Sequence, residues 1–196
     1  MLCKNTIIMQ EILEKNGFTP DEISDFMSNA SVIRCPKKTV LLREGDICRT
    51  FYYITKGTFR AGFTDKEAVQ HTRTFFSYDA SPMMMSYGSF IFQKPSLSFL
   101  DAIEDGEVLA WPFDFMNNLQ ETNFKWLRFF KREVDGTFAL REIKEHETYT
   151  FSAKERYLAF FEQSPDLANR IPLHYIASYI GITPEALSRI RKRIAS

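Results

Sequence analysis

The sequence predicts an α+β protein in which a β-roll, a double-stranded β-helix of short strands, is followed by one long helix and then by a compact group of helices. Three observations predict this order. First, short apolar runs separated by turn residues fill positions 31–111. Second, apolar residues keep a helical spacing without a break after Pro112. Third, residues 152–196 contain several helix-capping residues, each followed by apolar residues at helical spacing. The chain has 196 residues, 44% of them hydrophobic, which is enough to bury a real core.

The β-rich segment follows two short helical patterns, one ending at Gly17 and one beginning at Pro20. Its expected strands include residues 39–42, 51–54, 59–63 and 107–111. Turn signals separate them: Glu44-Gly45-Asp46, Lys56-Gly57, Ser81-Pro82, Tyr87-Gly88, Lys94-Pro95 and Glu104-Asp105-Gly106. About 80 residues of short strands with hairpin turns suit a small barrel or jelly roll.

After Pro112 the pattern predicts a short helix capped by Asp114 and a longer one running from a Thr122 cap towards Glu147. Its apolar residues fall into two sets, the first being Trp126, Leu127, Phe130, Val134 and Phe138 and the second Phe129, Leu140 and Ile143. A helix of about 25 residues spans roughly 38 Å, which is longer than a small domain needs. We therefore expect one face to pack on the roll and another on a second copy, giving a homodimer through the 122–147 helix. The alternative is a helix packed within its own chain.

Residues Leu173–Ile194 carry the most specific signal, the order expected of a helix-turn-helix. Ala177 is small enough for two helices to approach, and Gly181 can take the positive φ of a tight turn. Thr183 is a good N-cap, followed by Pro184 at the first helical position. The expected small core consists of Ile176, Ile180, Ile182, Leu187 and Ile190.

With Leu187 and Ile190 buried, the outward face of the second helix carries Glu185, Ser188 and Arg189. Arginine can bond guanine O6 and N7 together and glutamate can accept from cytosine N4, so these three are candidate base-reading residues. The candidate phosphate contacts are His174, Ser178, Thr183, Arg191, Lys192 and Arg193. A helical hairpin with a solvated basic end is the alternative.

Charge and cysteine usage narrow the class of protein. The formal net charge is zero, but residues 1–121 sum to −4 and residues 122–196 to +4, which places any DNA contact in the C-terminal part and leaves the roll off the DNA.

Three cysteines without a CxxC pair indicate neither a disulfide framework nor a cysteine-only zinc site, and we expect a cytoplasmic protein. No apolar stretch of membrane-spanning length is present and no membrane partner is expected.

Several stretches together resemble the Crp/Fnr family of bacterial transcription regulators. They are residues 42–46, 51–57, 102–109 and 175–191, the last being very like the DNA-binding end of members from Bacteroidetes. The resemblance implies a cyclic-nucleotide-binding-like roll, a dimerisation helix, and a sequence-specific regulator that binds an inverted repeat in double-stranded DNA as a homodimer. RNA polymerase is then a candidate partner, and Glu185 and Arg189 match the family's base-contacting pair.

By the same resemblance, the expected division is residues 1–113 for the roll with its N-terminal helices, 114–148 for the linker and dimerisation helix, and 149–196 for the helix-turn-helix. Family relatives can carry a β-hairpin wing after the recognition helix. The sequence ends at Ser196, so we expect the DNA-binding part to lack that wing and to bind with modest affinity.

The sequence departs from the cyclic-nucleotide-binding members at the cassette that holds the nucleotide. The family's ribose-binding Gly-Glu and phosphate-binding Arg correspond to the neighbourhoods of Ser86 and Ser96, and the nearby cation is Lys94 in a turn. A buried phosphate without arginine or a helix N-terminus is poorly compensated, so we expect no response to cyclic AMP. The sequence names no other effector.

Two interpretations are open for a group of Met and Phe residues: they line an apolar ligand pocket, or they pack in the core. The residues are Met83, Met84, Met85, Phe90 and Phe92. We expect no cofactor and no metal, because three cysteines cannot supply the four ligands of an iron–sulfur cluster and no strand carries a His-x-His pair. We also expect no enzyme, since phosphate-loop and nucleophile motifs are missing. A ligand-sensing or protein-interaction roll with weak or no DNA binding is the alternative function.

Overall fold

The β-strands form two four-stranded antiparallel sheets that share one apolar core. The computed structural model describes residues 4–195, with side chains from 7 to 194. The first sheet has the order β1-β8-β3-β6 and the second β2-β7-β4-β5, which makes β5 an edge strand. The strands are β1 (Ser31–Cys35), β2 (Val40–Leu42), β3 (Thr50–Lys56), β4 (Thr58–Thr64), β5 (Gln70–Ser77), β6 (Met83–Met84), β7 (Phe99–Ala102) and β8 (Gly106–Pro112). The predicted α+β fold with a β-roll is confirmed.

Two helices precede the roll, one lies within it and six follow it in the described part of the chain. They are α1 (Lys4–Lys15), α2 (Pro20–Ser28), α3 (Tyr87–Phe92), α4 (Phe113–Thr122), α5 (Phe124–Thr150), α6 (Ala153–Gln163), α7 (Pro165–Arg170), α8 (Leu173–Ile180) and α9 (Pro184–Ala195). No helix within residues 4–195 combines the length and the apolar character that crossing a membrane requires.

The caps of the long helix differ from the sequence prediction. Thr122 is the last residue of α4, and Asn123 caps α5 instead, because its Oδ1 accepts from the N–H groups of Lys125 and Trp126 at 3.0 and 3.4 Å. Asp114 is likewise not a cap, since α4 already begins at Phe113 after Pro112. At its other end α5 runs to Thr150, two residues past the expected boundary at 148.

A column of stacked aromatic rings anchors the start of α5 to the roll. Phe26 on α2 stacks on Trp111 of β8 (centroids 4.6 Å apart) and on Trp126 of α5 (4.5 Å). The indole N–H of Trp111 also donates to the carbonyl of Phe26 at 2.8 Å, which satisfies its buried polar atom. Three elements distant in the sequence are thereby fixed together, so the direction of α5 is set by the roll.

The second sheet is packed too closely to admit a side chain at Gly62 on β4. A Cβ placed there would lie 2.3 Å from the carbonyl oxygen of His71 and 2.4 Å from Cζ of Phe99. The ring of Phe99 on β7 therefore lies where a larger residue at position 62 would be.

A second apolar cluster joins the C-terminal helices to the second sheet. Tyr157 and Phe160 of α6, Leu167 of α7 and the buried face of α8 pack with two roll residues, Phe75 of β5 and Ile103 after β7. The helices after α5 therefore lie against the roll rather than projecting away from it.

Candidate nucleic-acid interface

Helices α8 and α9 form a tight pair whose turn has the predicted chemistry. Gly181 has φ +81°, and its N–H donates to the carbonyls of Ala177 and Ser178 at 3.0 and 3.2 Å. The Thr183 hydroxyl accepts from the N–H of Ala186 at 3.2 Å, so it caps the start of α9. The predictions for Gly181 and for the Thr183 cap are confirmed.

The core of this pair separates an inward from an outward face of α9. Ile176, Ala177, Ile180 and Leu187 are buried, and Ile182 and Ile190 are half-buried around them. On the outward face Glu185 and Arg189 are exposed, one helical turn apart, and Ser188 is half-buried beside them. The three candidate base-reading residues thus lie close together on one helix.

The electrostatics of α9 keep Glu185 ready to accept a hydrogen bond. Its own backbone N–H lowers the pKa of the Glu185 carboxyl most, followed by the Thr183 hydroxyl and then the positive charge of Arg189. The carboxylate is therefore ionised near neutral pH, which is the form that accepts from a base amino group.

Five of the six candidate phosphate contacts are exposed around this surface: His174, Thr183, Arg191, Lys192 and Arg193. Ser178 is placed differently. Its hydroxyl accepts a hydrogen bond from the backbone N–H of Thr72 on β5 at 2.9 Å, so it faces the roll and not the outward surface. β5 is an edge strand whose outward N–H groups need partners, and Ser178 supplies one of them. The assignment of Ser178 as a phosphate contact is therefore corrected.

Ser86 and Ser96, the two positions that replace the nucleotide-binding residues, meet inside the roll. Their hydroxyl oxygens are hydrogen-bonded at 2.8 Å, and Ser96 Oγ lies 2.6 Å from the carbonyl oxygen and 3.1 Å from the N–H of Ser98. Ser89 on α3 donates to the carbonyl of Lys94 and accepts from the N–H of Cys48. The buried hydroxyls of this cassette therefore find their partners within the chain.

Comparison with known proteins gives the fold a family context. No protein-family model and no curated protein matches the chain. Among solved structures, a transcriptional regulator assigned to the crp/fnr family from Eubacterium rectale has a TM-score of 0.70 at 16% identity, over 93% of this chain and 86% of that one. FixK2 from Bradyrhizobium japonicum has 0.69 at 18%, over 85% and 84%. CLP, the c-di-GMP responsive global regulator of Xanthomonas campestris, has 0.65 at 16%, over 88% and 90%. The chain has the Crp/Fnr fold.

Within this Crp/Fnr fold, α5 carries an apolar stripe that stays largely exposed among the described residues. Leu127, Val134 and Phe138 share one face of the helix, and Phe138 is 69% exposed. Three large residues near the start of α5, Trp126, Phe129 and Phe130, are buried in the roll's core, whereas Phe124 at its first position is exposed. The two apolar sets read from the sequence are wrong in detail, because Trp126 and Phe130 belong with Phe129 and not with the exposed stripe.

The methionine and phenylalanine residues proposed for a ligand pocket do not all face the roll interior. Met84 and Phe90 are buried, and the ring of Phe90 packs edge-on against Phe113 with centroids 5.1 Å apart. Met83 and Met85 are half-buried. Phe92 is 70% exposed at the end of α3, so it lines no interior pocket and its assignment is corrected.

The described part of the roll contains one histidine, His71, and two cysteines, Cys35 and Cys48. His71 Nε2 lies 2.6 Å from Asp65 Oδ2 in the β4–β5 hairpin. Burial raises the pKa of the Cys35 and Cys48 thiols, which disfavours their reactive thiolate form. Among residues 4–195, no group of three His, Cys, Asp or Glu side chains is arranged to hold a metal ion.

The sequence analysis missed Arg60, the most completely bonded charged side chain of the second sheet. It lies on β4 between Phe59 and Ala61, and all three residues are buried. A cation inside a strand of buried residues is the signal that could have found it, because a buried guanidinium needs several dedicated partners.

Proposed function

We propose that this protein is a sequence-specific DNA-binding transcription regulator of the Crp/Fnr type, acting in the cytoplasm and binding an inverted repeat as a homodimer. The observation that carries the proposal is the outward pair Glu185 and Arg189 at the start of a capped helix, in a chain with the Crp/Fnr fold. In a solvated helical hairpin the same pair would serve only to stabilise α9, as Glu and Arg four residues apart do on exposed helices.

In this proposal α9 enters the major groove with its N-terminal turn towards the bases. Arg189 bonds a guanine through O6 and N7, Glu185 accepts from a cytosine amino group, and Ser188 lies between them within reach of either strand. Arg191, Lys192 and Arg193 meet phosphates as the helix leaves the groove, and His174 and Thr183 approach the backbone beside it. The phosphate contacts fix the position of the helix and the base contacts supply the specificity.

The homodimer is supported by the stripe of Leu127, Val134 and Phe138 on α5. A two-fold pairing of these helices covers the exposed Phe138 of each protomer and relates the two α9 helices by the same axis. The operator is then two half-sites about 34 Å apart, one turn of DNA.

Independence from cyclic AMP is supported by the cassette. Ser86 and Ser96 carry no charge and hydrogen-bond each other, and the side chain of Lys94 is exposed outside the roll. A phosphate entering there would have to break this bond, and no guanidinium would compensate its charge.

The test is a titration of the purified protein against operators selected from a random DNA library, followed by fluorescence anisotropy at several salt concentrations. Replacing Arg189 by alanine should weaken binding to the selected operator about 5- to 150-fold, as expected for a lost bidentate contact of 1–3 kcal/mol. Affinity for unrelated DNA should fall much less. Adding cyclic AMP to the wild-type titration should leave the affinity unchanged.

Arg34→Ala is the matched control, because it removes one exposed positive charge from β1 in the roll. It should bind the operator as wild type does. If the wild-type protein shows no salt-sensitive DNA binding, the proposal is wrong and the alternative of a ligand-sensing or protein-interaction roll is favoured.

A further inference from the structure

The helix-turn-helix is attached to the roll by side-chain contacts along α8. The ring of Tyr175 lies over the guanidinium of Arg60 on β4, 4.4 Å from Cζ to the ring centroid. One turn further along, Ser178 accepts from the N–H of Thr72 at 2.9 Å, and the Tyr179 ring contacts that of Phe75 at 5.1 Å. α8 therefore covers the edge of β5 that has no neighbouring strand. An uncovered edge can pair with another chain, and the helix prevents this.

Arg60 is a fixed part of the sheet that receives this helix. It is 4% exposed, and its Nε and Nη2 bond the two carboxylate oxygens of Asp101 on β7 at 2.8 and 3.0 Å. Nη1 and Nη2 also donate to Thr72 and Gln70 of β5 at 3.2 and 2.7 Å. These bonds join β4 to both neighbouring strands and hold the guanidinium plane in one orientation, a geometry that lysine could not reproduce.

Two aromatic rings from different parts of the chain lie against the Arg60 guanidinium. Its Cζ is 4.8 Å from the ring centroid of Phe99 on β7 and 4.4 Å from that of Tyr175 on α8. Among these contacts of Arg60, Tyr175 is the one supplied by the C-terminal helices. A cation–π contact between desolvated groups is stronger than one in water, so the position of α8 is tied to a rigid point of the sheet.

A second point of attachment lies at the end of α7. Arg170 Nη2 donates to the Thr58 hydroxyl at 3.0 Å, and its Nη1 and Nε lie 3.4 and 3.1 Å from carboxylate oxygens of Asp79 and Glu104. Phe75 and Ile103 fill the space around these helices with apolar contacts. Two separated attachments oppose rotation of the helices about the junction at Phe151.

This docking leaves the outward face of α9 free. The polar and ring contacts with the roll described above come from α7 and α8, whereas Glu185 and Arg189 on α9 are exposed. The attachment therefore orients the DNA-reading helix without covering it.

We propose that Arg60 and Tyr175 form a latch that fixes the orientation of α8 and α9 on their own β-roll and thereby sets the half-site spacing that the dimer accepts. The proposal rests on the proposed DNA-binding function. Both residues are positioning residues, since neither belongs to the candidate DNA contacts. Without the latch, α8 and α9 would rotate relative to the roll, and the dimer would fit several half-site spacings. Its affinity for each spacing would be lower, because that rotational freedom is lost when DNA binds.

The experiment compares wild type, Tyr175→Leu as the released variant, and Tyr175→Phe as the matched control that keeps the ring over Arg60. Ser178 is left in place, so the Thr72 amide keeps its own acceptor in every variant. Circular dichroism first checks that all three are folded. Hydrogen exchange of the Thr72 amide is then measured without DNA, and we expect about 10-fold faster exchange in the released variant and wild-type exchange in Tyr175→Phe.

DNA binding is measured on operators whose half-site separation changes one base pair at a time. Wild type and Tyr175→Phe should show one sharp optimum, and the released variant should lose about 10-fold at that optimum and bind the neighbouring spacings almost as well. Unchanged Thr72 exchange, or an unchanged optimum in the released variant, overturns the latch. If the wild-type protein binds no operator, the proposed function is wrong, and so is the role of the latch in half-site spacing. Faster Thr72 exchange in the released variant would in that case still show that Tyr175 holds α8 on the roll.

Discussion

Replacing Phe138 by alanine tests the proposed dimer face of α5 directly. Phe138 belongs to the stripe with Leu127 and Val134, on a helix whose start is fixed by Trp126 against the roll. Its ring is 69% exposed and contributes nothing to the apolar core of its own chain. The substitution should therefore leave the fold of each protomer intact and act on association.

The size of the effect follows from the exposed ring. A phenylalanine side chain buries up to about 200 Å², so roughly 140 Å² of Phe138 remains to be covered by a partner. At about 25 cal/mol per Å² this is worth about 3 kcal/mol per protomer, and a symmetric dimer counts it twice. Truncation to alanine keeps Cβ, so we expect a loss of about 4–5 kcal/mol and a dimer dissociation constant on the order of 10³-fold higher.

Sedimentation equilibrium over a range of protein concentrations measures this constant. Leu140→Ala is the matched control, because Leu140 is 68% exposed but lies two residues further along α5, on nearly the opposite side of the helix. It should change the dissociation constant by less than a few-fold. If Phe138→Ala changes it by less than tenfold, or if Leu140→Ala weakens the dimer as much, the face assigned to the partner helix is wrong.

Two further substitutions test the roll and the anchoring of α5. Gly62→Ala should lower the melting temperature by roughly 4–8 °C, because its Cβ would lie 2.3 Å from the His71 carbonyl oxygen and overpacking costs about 1–3 kcal/mol. Gly88→Ala, where no atom lies within 4 Å, should leave the melting temperature unchanged or raise it, and equal values for the two variants would contradict the close packing of Phe99. Glu22→Gln should lower the free energy of unfolding at pH 7, since the Lys125 ammonium, 2.5 Å away, lowers the pKa of Glu22 in the folded protein. A depressed carboxyl pKa stabilises the fold above the unfolded value of about 4.3, so the difference between wild type and variant in urea unfolding should shrink as the pH falls below about 4. A difference that persists at pH 3 would place its origin outside the ion pair.

The features that could be predicted from the sequence are those that local chemistry determines. Gly181 needs a positive φ whatever surrounds it, and Ser152 caps α6 through a reciprocal bond with Glu155 three residues away. The cap of α5 could not be chosen in the same way, because Thr122 and Asn123 both suit it. The choice depends on where the chain turns once Trp126 is seated against Phe26.

The direction of side chains that meet across the fold could not be predicted. Ser178 is a polar residue on the first helix of a helix-turn-helix, and that pattern predicts a phosphate contact. It faces Thr72 because β5 is an edge strand, and no local pattern in the sequence reveals the sheet order. The exposure of Phe92 has the same kind of cause, since a six-residue helix on the roll surface cannot bury all its aromatic residues.

If the proposed function and the proposed latch hold, we expect a regulator whose DNA-binding form needs no small molecule. A ligand shifts a conformational equilibrium by the difference between its affinities for the two forms. In this chain the cassette hydroxyls of Ser86 and Ser96 already bond each other, and β7, which begins directly after the cassette, carries Asp101, the carboxylate that holds Arg60. Both the cassette serines and the Arg60 cluster are thus bonded to groups of the folded chain itself. Under the proposed function, occupancy of an operator should therefore follow the concentration of the dimer and the spacing of the half-sites, with the roll acting as the rigid support that sets that spacing.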